Sequence, residues 1–197
     1  LDLNIGEIVM LPELETDRLI LRELSLDDAE ELHDYQSRSD HWAQMAIEPE
    51  EFTDPNFRIE KYLEHRGQDP KRLIFAFTAR NKRDHGLVGQ VSLSRYQSPM
   101  IASIGFGVDS QLSGEGYATE MVKRILRYGL TDIGVHRVSA EIAVENTASR
   151  RVAEKASMQF EGIARDCIYA QGKWWSEERY AALSNVQTAF VVCNTSV

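Results

Sequence analysis

A short stretch with two glycines, DSQLSGEGYATE at residues 109–120, is the part of the sequence that most clearly indicates a chemical function. Gly114 and Gly116 are separated by one residue and are followed by a run of helix-forming residues. The first amides of a helix have no partner within the helix, and the helix dipole adds partial positive charge there. Because glycine has no side chain, the main chain can approach a bound anion closely. The pattern indicates a phosphate-binding loop, although a tight strand-to-helix turn can require the same glycines for its backbone angles alone.

Two common phosphate-binding loops can be tested against this stretch, and neither fits. A Walker loop requires Gly-Lys-Ser or Gly-Lys-Thr, and neither tripeptide occurs in the sequence. A dinucleotide-binding fingerprint requires a third glycine or alanine at a fixed spacing and an acid about 20 residues further on. Position 119 is a threonine and residues 134–138 read GVHRV, so the second test fails as well.

The elements that must position this loop change in type along the chain. Strands are predicted at 15–24, 72–80, 87–97, 101–109 and 136–144, helices at 25–39, 55–67, 115–130 and 146–157, and a closing hairpin at 160–184. Meandering strands therefore precede a strand–helix–strand–helix–strand succession, which predicts an α/β fold with one mixed sheet and helices on its faces. Gly105 and Gly107 lie inside the strand before the loop, where glycine marks a bulge or a close backbone approach.

The overall composition limits the class of protein. A chain of 197 residues with 43% hydrophobic residues is typical of one globular domain. Its net charge of −9 argues against a nucleic-acid surface, and suits either a cationic partner or an ordinary acidic protein. No apolar run reaches the ~18–20 residues of a membrane span, and the amino end shows no secretory signal. Cys167 and Cys193 form no CxxC pair, so we expect reduced thiols, no metal and a cytoplasmic location.

Three longer stretches together resemble a known family. They read IASIGFGVDSQLSGEGYATEMVKRIL, GVHRVSAEIAVENTASRRVAEKASMQFEG and GKWWSEERYAAL, and the opening ETDRLILRELSLDDAEEL extends the likeness back to about Glu15. The chain is similar to the GNAT superfamily of N-acetyltransferases, and within it to the ribosomal-protein N-terminal acetyltransferases of RimJ/RimL type. The resemblance implies the GNAT acyl-CoA N-acyltransferase fold, in which a mostly antiparallel sheet splays at the coenzyme-binding strand. It divides the chain into an extension at 1–14, a single domain at 15–185 and a tail at 186–197.

The resemblance also implies that acetyl-CoA is the co-substrate. The family binds the coenzyme diphosphate on the main-chain amides of the glycine loop, and pairs the pantetheine arm with the strand before it. The side-chain amide of Asn146 would bind the coenzyme as well. The coenzyme-binding residues implied in this way are Phe106, Gly107, Val108, Ser113, Gly114, Glu115, Gly116, Tyr117, Ala118, Thr119, Asn146 and Ser149.

Two positions differ from the family's pattern but leave the main-chain amides of the glycine loop and the Asn146 side chain in place. The loop motif Gln/Arg-x-x-Gly-x-Gly/Ala falls on Ser113, Gly116 and Ala118, so a serine replaces the side chain that usually braces the loop. At the end of the 146–157 helix, Ser157 lies within the segment that replaces a Lys-x-Gly-Phe ending. We therefore expect an altered turn there rather than a loss of function.

The groups that transfer protons depart further from the family. The tyrosine that many relatives carry seven residues after the helix-capping asparagine is replaced by Ala153. Ser149, three residues after Asn146, matches the RimL-like alternative and lies on the same helix face, so it is the candidate catalytic proton donor to the thiolate. As a first-turn residue it can equally serve to cap the helix. Ser103 occupies the place of a common glutamate base, and a solvated surface acid is the favoured role for Glu141 and Glu145, so no base is assigned.

The expected reaction is transfer of an acetyl group from acetyl-CoA to a primary amine by direct attack in a ternary complex. An α-amine has a pKa near ~7.7–8 and a lysine amine near ~10.4, so a chain without an obvious base favours a protein N-terminus or a small α-amine. Trp42 lies in the irregular 40–55 segment and is expected to line the acceptor site, whereas core packing is expected for one of the adjacent Trp174 and Trp175. The relatives suggest a homodimer.

Two other classes of function remain open from the sequence. The departures at Ser113, Ser103 and Ala153 are compatible with a catalytically weak acyl-CoA-binding or regulatory module of the same fold. A nucleotide-dependent oxidoreductase would be stabilised by NAD rather than by coenzyme A. Neither a metal nor a nucleic acid is expected as a partner.

Overall fold

One continuous sheet organises the chain in the computed structural model, which describes residues 10–37, 45–47, 55–65, 71–96 and 98–184. The strands within these ranges are β1 (Leu14–Glu15), β2 (Leu19–Glu23), β3 (Ile74–Asn81), β4 (Leu87–Tyr96), β5 (Ser98–Val108), β6 (Arg137–Ala143), β7 (Gln159–Ala170) and β8 (Lys173–Leu183). The α-helices are α1 (Ala29–Gln36), α2 (Pro55–Leu63), α3 (Tyr117–Arg127) and α4 (Thr147–Lys155).

The sheet is mostly antiparallel with one parallel contact near its middle. Its strand order is β1-β2-β3-β4-β5-β6-β8-β7. β5 and β6 run parallel, and the other neighbouring strands pair antiparallel. The α/β fold with one mixed sheet is therefore confirmed. The closing hairpin turns where predicted, because Gln171 and Gly172 adopt positive φ angles of 51° and 72°, which match a tight hairpin turn.

The two faces of the sheet carry different helices. Because successive strand residues point to opposite faces, the neighbours Ala76 and Phe77 belong to separate hydrophobic clusters. Phe77 packs in the larger cluster, whose members from α3 and α4 are Met121, Val122, Ile125, Leu126 and Ala153. Ala76 packs in the smaller cluster, whose members from α1 and α2 are Ala29, Leu32 and Ile59. Each large side chain buried in this way contributes about 1.5–3 kcal/mol to folding.

A buried ion pair fixes the segment that precedes β1. The guanidinium of Arg72 contacts the carboxylate of Glu23, and the two side chains are only 2% and 3% exposed. The other oxygen of Glu23 accepts a hydrogen bond of 2.9 Å from the main-chain N–H of Leu11. Arg72 also donates to the carbonyl oxygen of Ile74 at 2.9 Å, so charge and main chain are satisfied together at the start of β3.

The helix after the glycine loop is shorter than the predicted 115–130. It begins at Tyr117 because Gly116 has a left-handed φ of 85°, which an α-helix does not accommodate. It gives way to a π-helical turn at Tyr128–Asp132. A β-carbon on Gly129 would stand 2.8 Å from the Cδ1 atom of Leu93, so this turn packs tightly against the sheet.

The end of α4 contradicts the expected altered turn. The N–H of Met158 donates to the carbonyl of Ala153 and the N–H of Ser157 to that of Glu154, each at 3.0 Å. These two bonds form the ordinary Schellman ending, in which the residue after the helix cap is left-handed. Ser157 adopts that conformation, with φ 64°, where the family has glycine. The turn is kept because its two hydrogen bonds and the burial of Met158 outweigh the strain on one serine.

The predicted domain division remains a prediction. Leu11 and Leu14 are buried in the larger cluster, and residues 1–9 and 185–197 lie outside the described residues. No helix in the described part of the chain is both long and apolar enough to cross a lipid bilayer.

Candidate functional site

The parallel strands β5 and β6 separate soon after they meet. Their register joins Ile101 with Arg137, Ala102 with Val138 and Ser103 with Ser139, and the described pairing ends there. From Ile104 to Val108, β5 continues to pair with β4 on its other side. The main chain of the predicted arm-binding residues Phe106, Gly107 and Val108 therefore borders the gap between the two strands. An extended ligand can hydrogen-bond to such an edge as an added strand does.

The glycine loop leaves β5 at the end of this gap. Gly114 and Gly116 have φ angles of 86° and 85°, a conformation that glycine adopts without steric cost. Residues 113–116 are exposed, and among the described residues no side chain caps α3. The amides of Tyr117, Ala118 and Thr119 in the first turn therefore lack partners within the helix. This end of α3 can accept an anion.

The first turn of α4 lies at the same edge of the sheet as the glycine loop. β5 and β6 are parallel, so the loops that follow them, and the helix starts that those loops lead to, emerge at the same edge. α3 and α4 also pack against each other on one face. Gly116 and Asn146, the cap residues of the two helices, are thereby brought to one region from opposite sides of the gap.

Asn146 caps α4 with its side chain. Its Oδ1 atom accepts a hydrogen bond of 3.0 Å from the main-chain N–H of Ser149. The hydroxyl of Ser149 is half-exposed and forms no hydrogen bond to any described residue. Capping therefore falls to Asn146 and not to the Ser149 side chain. Ala153, at the family's tyrosine position, is fully buried and faces the core.

A cavity of about 170 Å³ opens on the opposite face of the sheet, in front of the splayed strand. Its floor includes the glycines Gly105 and Gly107, whose lack of side chains leaves the space open. Its walls are formed by Leu24, Met45, Ile47, Tyr62, Ala76, Gln90 and Ser92. Strand alternation alone places Gln90 and Ser92 on this face, because Val91 and Leu93 face the core. Trp42, predicted to line the acceptor site, lies outside the described residues.

The acids near the gap are arranged on β6 and β8. Glu141 is exposed, on the face opposite the buried Val138, Ala140 and Ile142, as the alternation predicts. Glu177, which the sequence reasoning did not single out, is half-buried on β8 opposite Ala143. Burial raises the pKa of Glu177, and the negative charge of Glu141 raises it further, against a lowering by the Cys167 thiol.

Arg18 contacts the glycine loop from outside it, and the sequence pattern did not predict this contact. Arg18, in the turn between β1 and β2, donates to the carbonyl oxygen of Glu115 at 3.1 Å and to Glu120 at 2.7 Å. Ser113, at the family's bracing position, has an exposed side chain without a hydrogen bond to the described residues. The only sequence signal was the ETDRL opening at 15–19, which does not reveal a partner so far along the chain.

Comparisons with known proteins agree on one family. Residues 18–159 match the family model described as an acetyltransferase (GNAT) domain. YnaD of Bacillus subtilis, an uncharacterized N-acetyltransferase, is 30% identical over 182 residues, which covers 86% of this chain and 96% of the relative.

Solved structures show the same fold. A GNAT-family acetyltransferase from Bacillus anthracis superposes with a TM-score of 0.76 at 27% identity, covering 89% of this chain and 100% of that one. RimL, a ribosomal L7/L12 alpha-N-protein acetyltransferase solved in complex with coenzyme A, superposes with a TM-score of 0.76. Its identity is 18%, over 87% of this chain and 98% of that one, so the likeness is one of fold.

Proposed function

This chain belongs to the GNAT family and is an N-acetyltransferase, and from that premise we propose that it transfers the acetyl group of acetyl-CoA to the α-amine of a protein N-terminus or small molecule. The amine attacks the thioester directly within a ternary complex. One observation carries the proposal: a splayed strand, an uncapped helix start and the Asn146-capped helix lie at one edge of the sheet.

The coenzyme would bind along that edge. Its diphosphate would lie on the amides of residues 114–119, where two left-handed glycines precede the exposed start of α3. Its pantetheine arm would pair with Phe106, Gly107 and Val108, which face the gap on their unpaired side. Asn146, whose Oδ1 atom caps α4, would contact the coenzyme through its side-chain amide.

The chemistry follows from these positions. The nitrogen lone pair attacks the thioester carbon, a C–N bond forms and the C–S bond breaks. A main-chain N–H of β5 would stabilise the negative charge that develops on the carbonyl oxygen. The proton lost by the amine passes to solvent. The Ser149 hydroxyl donates a hydrogen bond to the departing sulfur, and the thiolate takes up a solvent proton through that hydroxyl, which is left unchanged. The free hydrogen-bonding capacity of that hydroxyl within the described chain supports this role.

The cavity in front of Gly105 is the proposed acceptor site. The described side chains around it are apolar or neutral, as in Leu24, Tyr62 and Gln90. This part of the lining favours an uncharged residue beside the reacting amine over a polycation, because a cation buried against these side chains would lose hydration without an opposing charge from them. The lower pKa of an α-amine, about 2 units or more below that of lysine, supports the same acceptor class.

Thiol release from acetyl-CoA over a panel of acceptors tests the reaction. The panel contains peptides with a free alanine or serine N-terminus, the same peptides blocked at the N-terminus but carrying lysine, and spermidine. We expect turnover with the free N-termini and little with the others. Coenzyme binding without thiol release on any acceptor would instead support the regulatory module.

The role of Ser149 is tested by Ser149→Ala. Loss of a proton or hydrogen-bond donor to the leaving group should lower kcat by about 10- to 100-fold, with little change in the KM for acetyl-CoA. Thr147→Ala removes a hydroxyl from the same helix turn and serves as the matched control. Equal activity in the two variants would show that Ser149 is not the donor.

A further inference from the structure

Arg18, in the turn between β1 and β2, forms a hydrogen bond to the glycine loop. The Nε atom of Arg18 donates to Glu120 at 2.7 Å, and one terminal nitrogen donates to the carbonyl oxygen of Glu115 at 3.1 Å. Its guanidinium also lies over the ring of Tyr117, 4.1 Å from the ring centre. One side chain therefore contacts the loop, the first residue of α3 and a carboxylate in its first turn.

Glu120 is held firmly enough to serve as the anchor of this arginine. Its Oε1 atom accepts hydrogen bonds from the Thr16 hydroxyl at 2.6 Å and from the Arg18 main-chain N–H at 2.8 Å. Thr16 in turn accepts from the N–H of Leu19 at 2.8 Å, which closes the β1–β2 turn on itself. The anchor therefore consists of charge-assisted hydrogen bonds between a rigid turn and the helix start.

Few contacts from the rest of the described chain restrain the two glycines of the loop. No described atom beyond its chain neighbours lies within 4 Å of the place that a β-carbon on Gly114 would occupy. A β-carbon on Gly116 would lie 3.6 Å from a terminal nitrogen of Arg18. Because glycine has the largest conformational freedom of any residue, an unbraced loop of this kind would sample many shapes.

The contact with Glu115 sets the direction of the next amide. In a planar trans peptide, the carbonyl of one residue and the N–H of the following residue point in opposite directions. The hydrogen bond from Arg18 orients the Glu115 carbonyl toward the β1–β2 turn, so the Gly116 N–H points away from that turn. The amides that follow at Tyr117 and Ala118 begin the helix from this fixed peptide.

We propose that Arg18, anchored by Glu120, is the positioning residue that preorganises the diphosphate loop and takes the place of the bracing side chain absent at Ser113. The inference rests on the proposed function, since it assumes that coenzyme A binds the loop. Arg18 acts through the main chain and not as a ligand of the phosphate. Preorganisation increases affinity because less freedom is lost on binding.

The test compares coenzyme A binding and kinetics in Arg18→Ala with those in Arg22→Ala. Arg22 follows in β2 and contacts the buried Asp28 at 2.5 Å, so its loss disturbs the fold without touching the loop. We expect R18A to raise the Kd for coenzyme A and the KM for acetyl-CoA about tenfold, the value of one charge-assisted hydrogen bond. At saturating acetyl-CoA its kcat should stay within about twofold of wild type, since the reacting groups are unchanged.

A second substitution separates positioning from direct contact. Ser113→Gln in the R18A background restores a brace of the family's type, and we expect it to recover most of the lost affinity. The amide resonances of Gly114 and Gly116 in the free protein should broaden in R18A and sharpen again in the double variant. A lower Tm for R18A with an unchanged Kd would overturn the inference.

Two further outcomes are distinguishable. If wild type itself does not bind coenzyme A, the proposed function fails, and this inference with it. If wild type binds but the loss in R18A is not recovered by S113Q and the free-state resonances do not change, Arg18 is a phosphate ligand and positioning is wrong.

Discussion

Gly89 and Gly107 lie so close together that a β-carbon on Gly89 would stand 2.2 Å from the carbonyl oxygen of Gly107. The same β-carbon would be 2.9 Å from the Cα atom of Val108. Glycine on β4 therefore lets the end of β5 approach at the residues proposed to pair with the pantetheine arm. The shape of the gap depends on both strands.

Gly89→Ala should accordingly displace Gly107 and Val108. We expect a loss of stability of about 1–3 kcal/mol, as for overpacked sites, and weaker coenzyme A binding in the molecules that fold. Urea unfolding and calorimetric titration measure the two effects. Gly86→Ala is the control, since its β-carbon meets only the flexible Asp84 side chain, at 3.2 Å. Equal behaviour of the two variants would contradict the close approach.

The buried pair of Glu23 and Arg72 predicts a strong effect on folding. Glu23→Gln removes the buried carboxylate charge that Arg72 contacts, and should lower the free energy of unfolding by about 3–5 kcal/mol. Replacing both partners, as in E23L/R72M, should recover much of that loss because no charge is then buried. Denaturant unfolding measures both.

An exposed pair provides the comparison. Lys82 contacts Glu15 at 2.7 Å, and the side chain of Glu15 is 68% exposed. Glu15→Gln should leave the unfolding midpoint unchanged, because water screens such pairs. A loss as large as that of E23Q would show that burial is not what matters at Glu23.

Ser157 predicts a stabilising substitution. It is exposed and left-handed with φ 64°, a conformation that costs a non-glycine residue about 1–2 kcal/mol. Ser157→Gly should therefore raise the Tm, and Ser157→Ala should leave it unchanged or lower. An increase with alanine equal to that with glycine would exclude backbone strain as the cause.

Much of this architecture could be predicted from the sequence because local pattern determines it. Most strands and helices lie within about four residues of their predicted bounds, and the hairpin turns at Gln171-Gly172. The single strand predicted at 15–24 is wrong, because β1 and β2 are separate antiparallel strands joined by a turn that contains Arg18. The glycine loop and the Asn146 cap are also local signals. Two helix ends differ from expectation. Packing at Gly129 determines the end of α3, and main-chain hydrogen bonds at Ser157 determine the end of α4. Neither contact can be recognised from the residue types alone.

The groups that the sequence did not reveal depend on distant partners. Arg18 and Glu120 are 102 positions apart, and the cavity joins residues from α2, β3, β4 and β5. Glu177 gains its half-buried setting from β6 and β7 on either side of it. Periodicity reports which face of an element a residue occupies, and not which other element will lie across from it.

The titration of Glu120 predicts a dependence on acidity. Burial alone raises its pKa, but hydrogen bonds from Thr16 and Arg18 outweigh that and hold the pKa below the ordinary value of 4.5. A carboxyl with a lowered pKa stabilises the fold above 4.5 and loses that contribution as the pH falls through its folded pKa.

The difference in unfolding free energy between wild type and Glu120→Gln should therefore be constant from neutral pH down to about 5 and should shrink below 4.5. Urea titrations of both proteins at several pH values measure it, and taking the difference removes the other acids. A difference that grows toward acid pH would contradict the assigned hydrogen bonds.

The distance along the chain between Arg18 and Glu120 has a consequence for assembly of the protein. The starts of α3 and α4 and the gap between β5 and β6 lie in the later part of the chain, whereas Arg18, which supports the glycine loop from outside, lies in the first hairpin. The proposed coenzyme site would therefore be complete only after the first hairpin has packed against the later strands and helices, which makes its formation a late event in folding.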